Sequence, residues 1–356
     1  MKNYLSLLVL AFVLLAGASC AIYPPKTPVE KQVIADPESR LLILKNEYVV
    51  LGIIPEAGAH IVLFRSYDSA NVIDSNPKTW SEPVPAVSAE NPKLAPYDGH
   101  ITWLGPQKEW WTQQDINVDR KNRRVPWPPD PFLTIGKYEV SDRKGDSVRL
   151  TSPSSPVTGI QMVKEISLRK NTAHVKVTAT NIRDNPVSWD IWSNTRIRKN
   201  AYIYVPVDPE GRSFKLEAGT NHPETNYVLP YAVQSNYFHF DIDSVQNDNA
   251  HNYSAKVFMN PSVGIIAAFC GDYLFVKKSS IVPKEKIHPD QSFVEIYKNI
   301  SINPADSLTE IEMHGEYMTL KPGESMSFEE TWELIPCGEL RKNEDRIKFL
   351  EKISID

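Results

Sequence analysis

Cysteine is nearly missing from this chain, with three in 356 residues, at Cys20, Cys270 and Cys337. That excludes a disulfide-stapled scaffold and a cysteine zinc site. For Cys270 and Cys337 two readings stay open, one bridge or a buried free thiol in the apolar run Val263-Gly-Ile-Ile-Ala-Ala-Phe269. Positive charge is not in excess either: 39 Lys and Arg stand against 44 Asp and Glu, a net charge of -5, with no basic block. Nucleic acid is therefore not an expected partner. No Gly-Xaa-Ser-Xaa-Gly elbow and no phosphate-binding glycine loop occurs, which argues against a serine hydrolase of that type and against a nucleotide enzyme. His222, His239 and His251 lie near Asp241, Asp243 and Asp248 without zinc spacing, and Asp241-Ile-Asp-Ser-Val245 lacks the next oxygen ligand and the glycine of a calcium loop. No metal and no cofactor is expected.

The one marked hydrophobic run, Leu5 to Leu15, is too short to favour a membrane span. Lys2 precedes it and Ala16-Gly-Ala-Ser-Cys20 follows, so residues 1–19 read as an export signal. Small residues before Cys20 resemble a lipobox, which makes Cys20 the expected lipidation site, with cleavage near Ser19 as the alternative. On either reading the mature chain works outside the cytoplasm, in the periplasm or at the outer membrane, with membrane contact through a lipid on Cys20. Residues 20–37 are polar and proline-bearing, as suits a tether. Residues 38–356 then form a single domain.

What the chain has in quantity is short β-rich runs punctuated by turn residues. Leu41 to Leu44, Tyr48 to Ile54 and His60 to Phe64 open the series, and Phe132 to Val140, Ser147 to Thr151, Ile160 to Leu168, His174 to Asn181 and Val187 to Ile197 continue it. Lys256 to Met259, Leu274 to Lys277, Phe293 to Ile300, Leu308 to Met313 and Ser325 to Leu334 complete it. So many antiparallel strands must hide their edges in stacked sheets, giving an all-β fold. One helix, Glu339 to Ile353, is expected to cap the domain from outside, and the polar region Ala218 to Tyr253 reads as long loops.

Four of the eight tryptophans, Trp103, Trp110, Trp111 and Trp127, crowd into Tyr97-Asp-Gly-His-Ile-Thr-Trp-Leu-Gly-Pro-Gln-Lys-Glu-Trp-Trp111 and the prolines after it. Aromatic faces beside amide, carboxylate and imidazole groups match a sugar, with its C–H faces and rim of hydroxyls. In an extended segment Trp110 and Trp111 point to opposite sides, leaving one exposed as a stacking platform, whereas Trp103 and Trp127 read as core or wall. His100 is read as an acid or donor in a cleft, weighed against a histidine bonded to a loop carbonyl. Gln107 and Glu109 are candidates for hydroxyls, and Arg65, Arg196 and Arg198 end or follow apolar runs, Arg196 being favoured by its neighbours Trp189, Trp192 and Asn194. Glu310 and Glu312 alternate along one strand and so share a face, where a carboxylate pair is possible, and Glu295 sits on the strand before it.

Three segments resemble the galactose mutarotase-like superfamily. Leu44 to Arg65 is similar to its opening strands and Gly-Ala turn, Val175 to Ile197 to its central strand pair, and Thr319-Leu-Lys-Pro-Gly-Glu-Ser-Met-Ser-Phe-Glu-Glu-Thr-Trp-Glu-Leu334 to its closing strand. Gly99-His-Ile-Thr-Trp-Leu-Gly-Pro-Gln107 resembles an uncharacterised group of exported bacterial proteins within it, known only as a domain of unknown function. The resemblance implies a β supersandwich with a short C-terminal helix and a carbohydrate ligand. It also implies aldose-epimerase-like proton transfer, with His100 as acid and Glu295 or Glu310 as base. Trp192-Ser-Asn-Thr-Arg196 stands where the epimerases carry a further histidine motif, so ordinary mutarotation is not expected. A non-catalytic glycan-binding lipoprotein and a polysaccharide lyase or glycoside hydrolase remain the alternatives. Arg65, Trp103, Gln107, Trp110, Trp111, Trp192 and Arg196 are the expected substrate contacts.

Overall fold

Alternation in sequence becomes two large β-sheets in the computed structural model, which describes residues 41–208, 213–218, 226–245, 248 and 250–353. The export signal, Cys20, the tether and His222 lie outside the described residues. Edge to edge, the first sheet runs Leu42–Lys45, Val49–Ile54, His60–Ser66, His100–Gly105, Val187–Arg196, Leu308–His314, Val294–Ile300, Asn252–Met259 and Phe214–Ala218. Met318–Leu320 extends the pairing of Val187–Arg196, and Asn226–Val228 adds a parallel strand to Asn252–Met259. The second sheet runs Tyr231–Gln234, Tyr237–Phe240, Tyr202–Pro206, Ile265–Cys270, Tyr273–Ser279, Ser325–Pro336, Thr172–Asn181, Ile160–Arg169, Ser147–Thr151 and Glu139–Ser141.

Period-two burial shows how the sheets face each other. Along Ile160–Arg169 every second residue is buried, and Met326, Phe328, Trp332 and Leu334 repeat the pattern on Ser325–Pro336. Their inner faces meet the first sheet through apolar contacts: the Trp332 ring sits edge-on to Phe64 of that sheet at 6.0 Å, and to Phe275 of its own sheet at 5.9 Å. The same period drops polar groups into this core, since Lys164, Lys277 and Glu330 fall on buried positions. Lys277 Nζ donates to Ser193 Oγ at 2.8 Å and Thr195 Oγ1 at 2.9 Å, and lies 3.3 Å from Glu330. Ser193 Oγ donates to Glu330 Oε2 at 2.7 Å, and the Trp332 indole donates to Glu330 Oε1 at 2.8 Å.

Unlike these strands, Val187–Arg196 is buried on both faces from Trp189 to Thr195. An antiparallel strand covered on both sides needs something packed on its outer face. Here the cover comes from the segment after His100–Gly105, whose Trp110 ring reaches Trp192 at 6.0 Å, with Trp110 and Trp127 also on Trp103 of the neighbouring strand at 5.5 and 6.1 Å.

Three elements differ from expectation. Phe132 to Val140 does not form one strand: Asp130 caps a short helix, Pro131–Thr134, by accepting from Phe132 N at 2.9 Å, and the strand starts at Glu139. Asp followed by Pro at the first helical position is a start signal that outweighs the apolar run. The C-terminal helix begins at Asn343 and ends at Ile353, with Ile347 and Leu350 packed on Leu274 and Val276 of the second sheet. In the polar region read as loops, Tyr231–Gln234 and Tyr237–Phe240 form a hairpin whose turn residues Ser235 and Asn236 have φ of 48° and 64°. Two successive left-handed residues match the twist that a tight hairpin needs. Cys270 and Cys337 are both free, and Cys270 is buried.

Candidate functional site

Cross-strand register assembles one polar group on the outer face of the first sheet. Trp103 lies opposite Trp192, and Trp192 opposite His314. Asn194 lies opposite Glu312, and Glu312 opposite Glu295. Arg196 lies opposite Glu310, and Glu310 opposite Tyr297. Directly paired residues project to the same side, so all of these share one face. Lys256, on the next strand, places Nζ 2.8 Å from Glu295 Oε2 and 2.6 Å from Glu312 Oε2. The Trp192 indole donates to the same Glu312 oxygen at 3.1 Å.

Behind His314 stand Asp190 and Gln291. Asp190 Oδ1 is 3.5 Å from His314 Nδ1 and accepts from Gly105 N at 3.1 Å, while Gln291 Nε2 is 3.0 Å from the same ring nitrogen. Gly105 permits this approach: a Cβ there would sit 2.3 Å from Gln291 Nε2 and 2.5 Å from Asp190 Oδ1. His314 Nε2 lies 3.4 Å from Glu295 Oε1 without hydrogen-bond alignment.

The electrostatics are those of buried, crowded carboxylates. Burial pushes the Glu312 carboxyl up to about 7, opposed by Lys256 and reinforced by Glu295 and Glu310. For His314 burial works to lower the pKa, but the carboxylates of Glu295, Asp190 and Glu312 outweigh it and raise the imidazole above its usual value. Burial likewise opposes the Lys256 ammonium, and Glu295 and Glu312 overcome it, holding the lysine charged. Several buried polar atoms here make no hydrogen bond: Trp103 Nε1, both amide atoms of Asn194, Asp190 Oδ2, Gln291 Oε1 and His314 Nε2. Unmet buried donors and acceptors cost about 1–3 kcal/mol each, so a cluster of them calls for water, an ion or another polar group to meet it.

A family model described as a domain of unknown function, DUF4380, matches residues 40–335. The chain belongs to the DUF4380 family. Among curated proteins none matches it. Among solved structures, a galactose mutarotase-like protein from Lactobacillus casei superposes with a TM-score of 0.53 at 13% identity, over 83% of this chain and 100% of that one. A protein from Synechocystis gives 0.50 at 10% identity, over 83% and 96%. A putative aldose 1-epimerase from Escherichia coli gives 0.49 at 13% identity, over 83% and 99%. This DUF4380 chain therefore has the galactose mutarotase-like fold, all-β with a short C-terminal helix.

The expected acid does not reach this site. In the DUF4380 chain His100 pairs with Thr195, not with the outer-face residues, and points between the sheets. Its Nδ1 lies 2.9 Å from Thr195 Oγ1, its ring meets Trp332 of the opposite sheet at 4.7 Å, and it is 1% exposed. Burial and then Lys277 hold His100 well below the usual histidine value, so it is a neutral core group. His100 as acid opposite Glu295 or Glu310 as base is thus corrected: the sheet backbone separates them. Glu310 is itself engaged, accepting from Arg196 Nε at 3.0 Å, and Arg196 also pairs with Asp98. The expected exposed platform is corrected as well. Trp110 and Trp111 are both buried, because the chain turns through a 3-10 helix at Gln107–Glu109 instead of extending. Trp110 donates to Leu104 O and Trp111 to Pro128 O. Trp127, read as core or wall, is 45% exposed.

Gln107 is exposed, and Arg65 donates to the carbonyls of Ser66 and Tyr67 in its own turn, so neither makes a hydrogen bond to the outer-face cluster. Glu109 accepts from Tyr317 OH at 3.2 Å near His288. The expected contacts Trp103, Trp192 and Arg196, and the expected catalytic Glu295 and Glu310, do share the outer face. His314, Asp190, Asn194, Lys256 and Gln291 join them without having been singled out. An open groove of about 910 Å³ lies elsewhere, on the outer side of the second sheet, lined among others by Arg149, Glu165, Lys176 and Glu329. Its charges pair with each other, Arg149 with Glu165 at 2.8 Å and Lys176 with Glu329 at 2.7 Å, as on a solvated sheet face.

Proposed function

We propose that the outer face of the first sheet binds a carbohydrate between Trp103, Trp192 and the Asn194–Glu312–His314 row. The observation that carries this is the set of buried, unpartnered donors and acceptors beside two tryptophan rings 4.9 Å apart. An indole N–H, a carboxamide, an imidazole and carboxylate oxygens offer donors and acceptors in mixed order, which is what a polyol requires. The galactose mutarotase-like protein that shares the fold supports a sugar over other polar ligands. If the site is catalytic, the acid role falls to His314 in place of His100, and Glu295, 3.4 Å from its Nε2, keeps the base role.

Thermal shift against a panel of neutral mono- and oligosaccharides tests the proposal. A sugar at about 100 times its Kd is expected to stabilise the protein by about 2.7 kcal/mol. That gain is expected to vanish in Glu312→Gln and to persist in Gln107→Ala. A panel without any stabilising sugar, or equal stabilisation of Glu312→Gln, overturns it.

A further inference from the structure

Glu295, Glu312 and His314 each offer one ligand atom, and the three atoms lie within 4.8 Å of one another. All three side chains are buried, at 3%, 1% and 0% exposure. Strand pairing fixes the set, since Glu295 and Glu312 are direct partners and His314 follows two residues on along the same face. Asp190, fully buried, brings a third carboxylate, and Lys256 is the cation that touches Glu295 and Glu312. Arg196 is occupied by Glu310 and Asp98. Three carboxylates against one ammonium leave buried negative charge, which costs several kcal/mol unless a proton or a further cation answers it.

We propose that Glu295, Glu312 and His314 bind a divalent transition-metal cation of the zinc or manganese class. One imidazole nitrogen with two carboxylates suits such an ion, whereas calcium and magnesium favour all-oxygen sets. His314 is already arranged as a ligand. Asp190 and Gln291 stand at Nδ1, and Nε2 faces Glu295 with no hydrogen-bond partner. A carboxylate behind a histidine fixes the tautomer that leaves the far nitrogen free to ligate. Turning the Gln291 amide over would also give its unpartnered Oε1 the Nδ1 proton. Lys256 takes Oε2 of both glutamates, and Glu295 Oε1, which accepts from Ser292 N at 3.0 Å, faces His314 with a second lone pair to offer, so the ammonium competes with the ion for charge without taking that oxygen. The inference does not depend on the carbohydrate reading, because the ion needs no sugar to bind.

Calorimetry of chelator-treated full-length protein with zinc, and separately with manganese, tests it. One equivalent is expected to bind. Binding is expected to be lost in His314→Gln and in Glu312→Gln, to weaken on the order of 10–100-fold in Asp190→Asn, and to persist in His251→Ala. Cobalt substitution adds a readout of the ligands, since its visible bands should change in His314→Gln even where that variant retains some affinity. Circular dichroism identifies any variant that fails to fold, and Asp190→Asn then carries the test. Absence of a stoichiometric ion, unchanged binding in the His314 and Asp190 variants, or loss in His251→Ala, where His251 pairs with Asp248 at the surface, overturns the proposal.

Discussion

Trp332→Ala is expected to lower the unfolding free energy by about 3–5 kcal/mol, the usual cost of truncating a buried tryptophan. Several losses coincide at this position. Trp332 is 0% exposed and contacts the rings of Phe64, Phe275 and His100. Its indole also supplies the hydrogen bond to Glu330 Oε1, so truncation removes packing and leaves a buried carboxylate short of a donor beside Lys277. Trp332→Phe keeps much of the volume and loses the donor, which separates the two contributions. Urea unfolding followed by circular dichroism measures both variants. A loss below about 1 kcal/mol for the alanine variant, within the range of ordinary surface changes, would contradict the packing described.

Two buried lysines give the second large effect. Burial brings both Lys164 and Lys298 down to about 7, against an ordinary value of 10.5. Lys164 donates to Gly58 O at 2.9 Å and faces the Tyr138 ring, while Lys298 donates to Lys199 O at 3.0 Å and Thr309 Oγ1 at 2.9 Å, so neither touches a carboxylate. A depressed folded-state value means that the unfolded chain binds more protons between about 7 and 10.5. Stability therefore rises with pH in that window and is lost as pH falls through about 7. Each lysine contributes a slope of up to about 1.4 kcal/mol per pH unit. Denaturation at pH 7, 8 and 9 is expected to show this rise, and Lys298→Met is expected to flatten it by about half. A flat profile in the parent protein would show that both lysines stay charged in the core.

Strands with one wet face were plain in the sequence. Ala173 to Thr180 alternates because one side is buried, and Glu310 and Glu312 were placed on a common face by the same period. The apolar alternation of that strand ends at Met313, while the strand itself runs on to His314, so the Glu312-Xaa-His314 pair carries no signal in the pattern. Asp190 and Lys256 could not be found this way, because cross-strand register brings them to the site and register is not written in any one segment, and Gln291 arrives from the loop before Val294–Ile300. His100 shows a different failure. It lies three residues from Trp103 on one strand, and that odd spacing already sends the two side chains to opposite faces. The apolar run around it has no alternation to say which face is inward. Trp110 and Trp111 depart from period-two exposure for a local reason, since the turn at Gln107–Glu109 ends the extended chain before them.

Ligand is expected to meet the outer face of the first sheet and not the core around His100. Indole N–H resonances of Trp103, Trp192 and Trp332, assigned by single Trp→Phe variants, test it during titration with the sugar that stabilises the protein most. Saturable shifts are expected for Trp103, whose indole has no acceptor, and for Trp192, with Trp332 unmoved. Shifts at Trp332 with Trp103 and Trp192 silent would place the site on the other side of the sheet and contradict it.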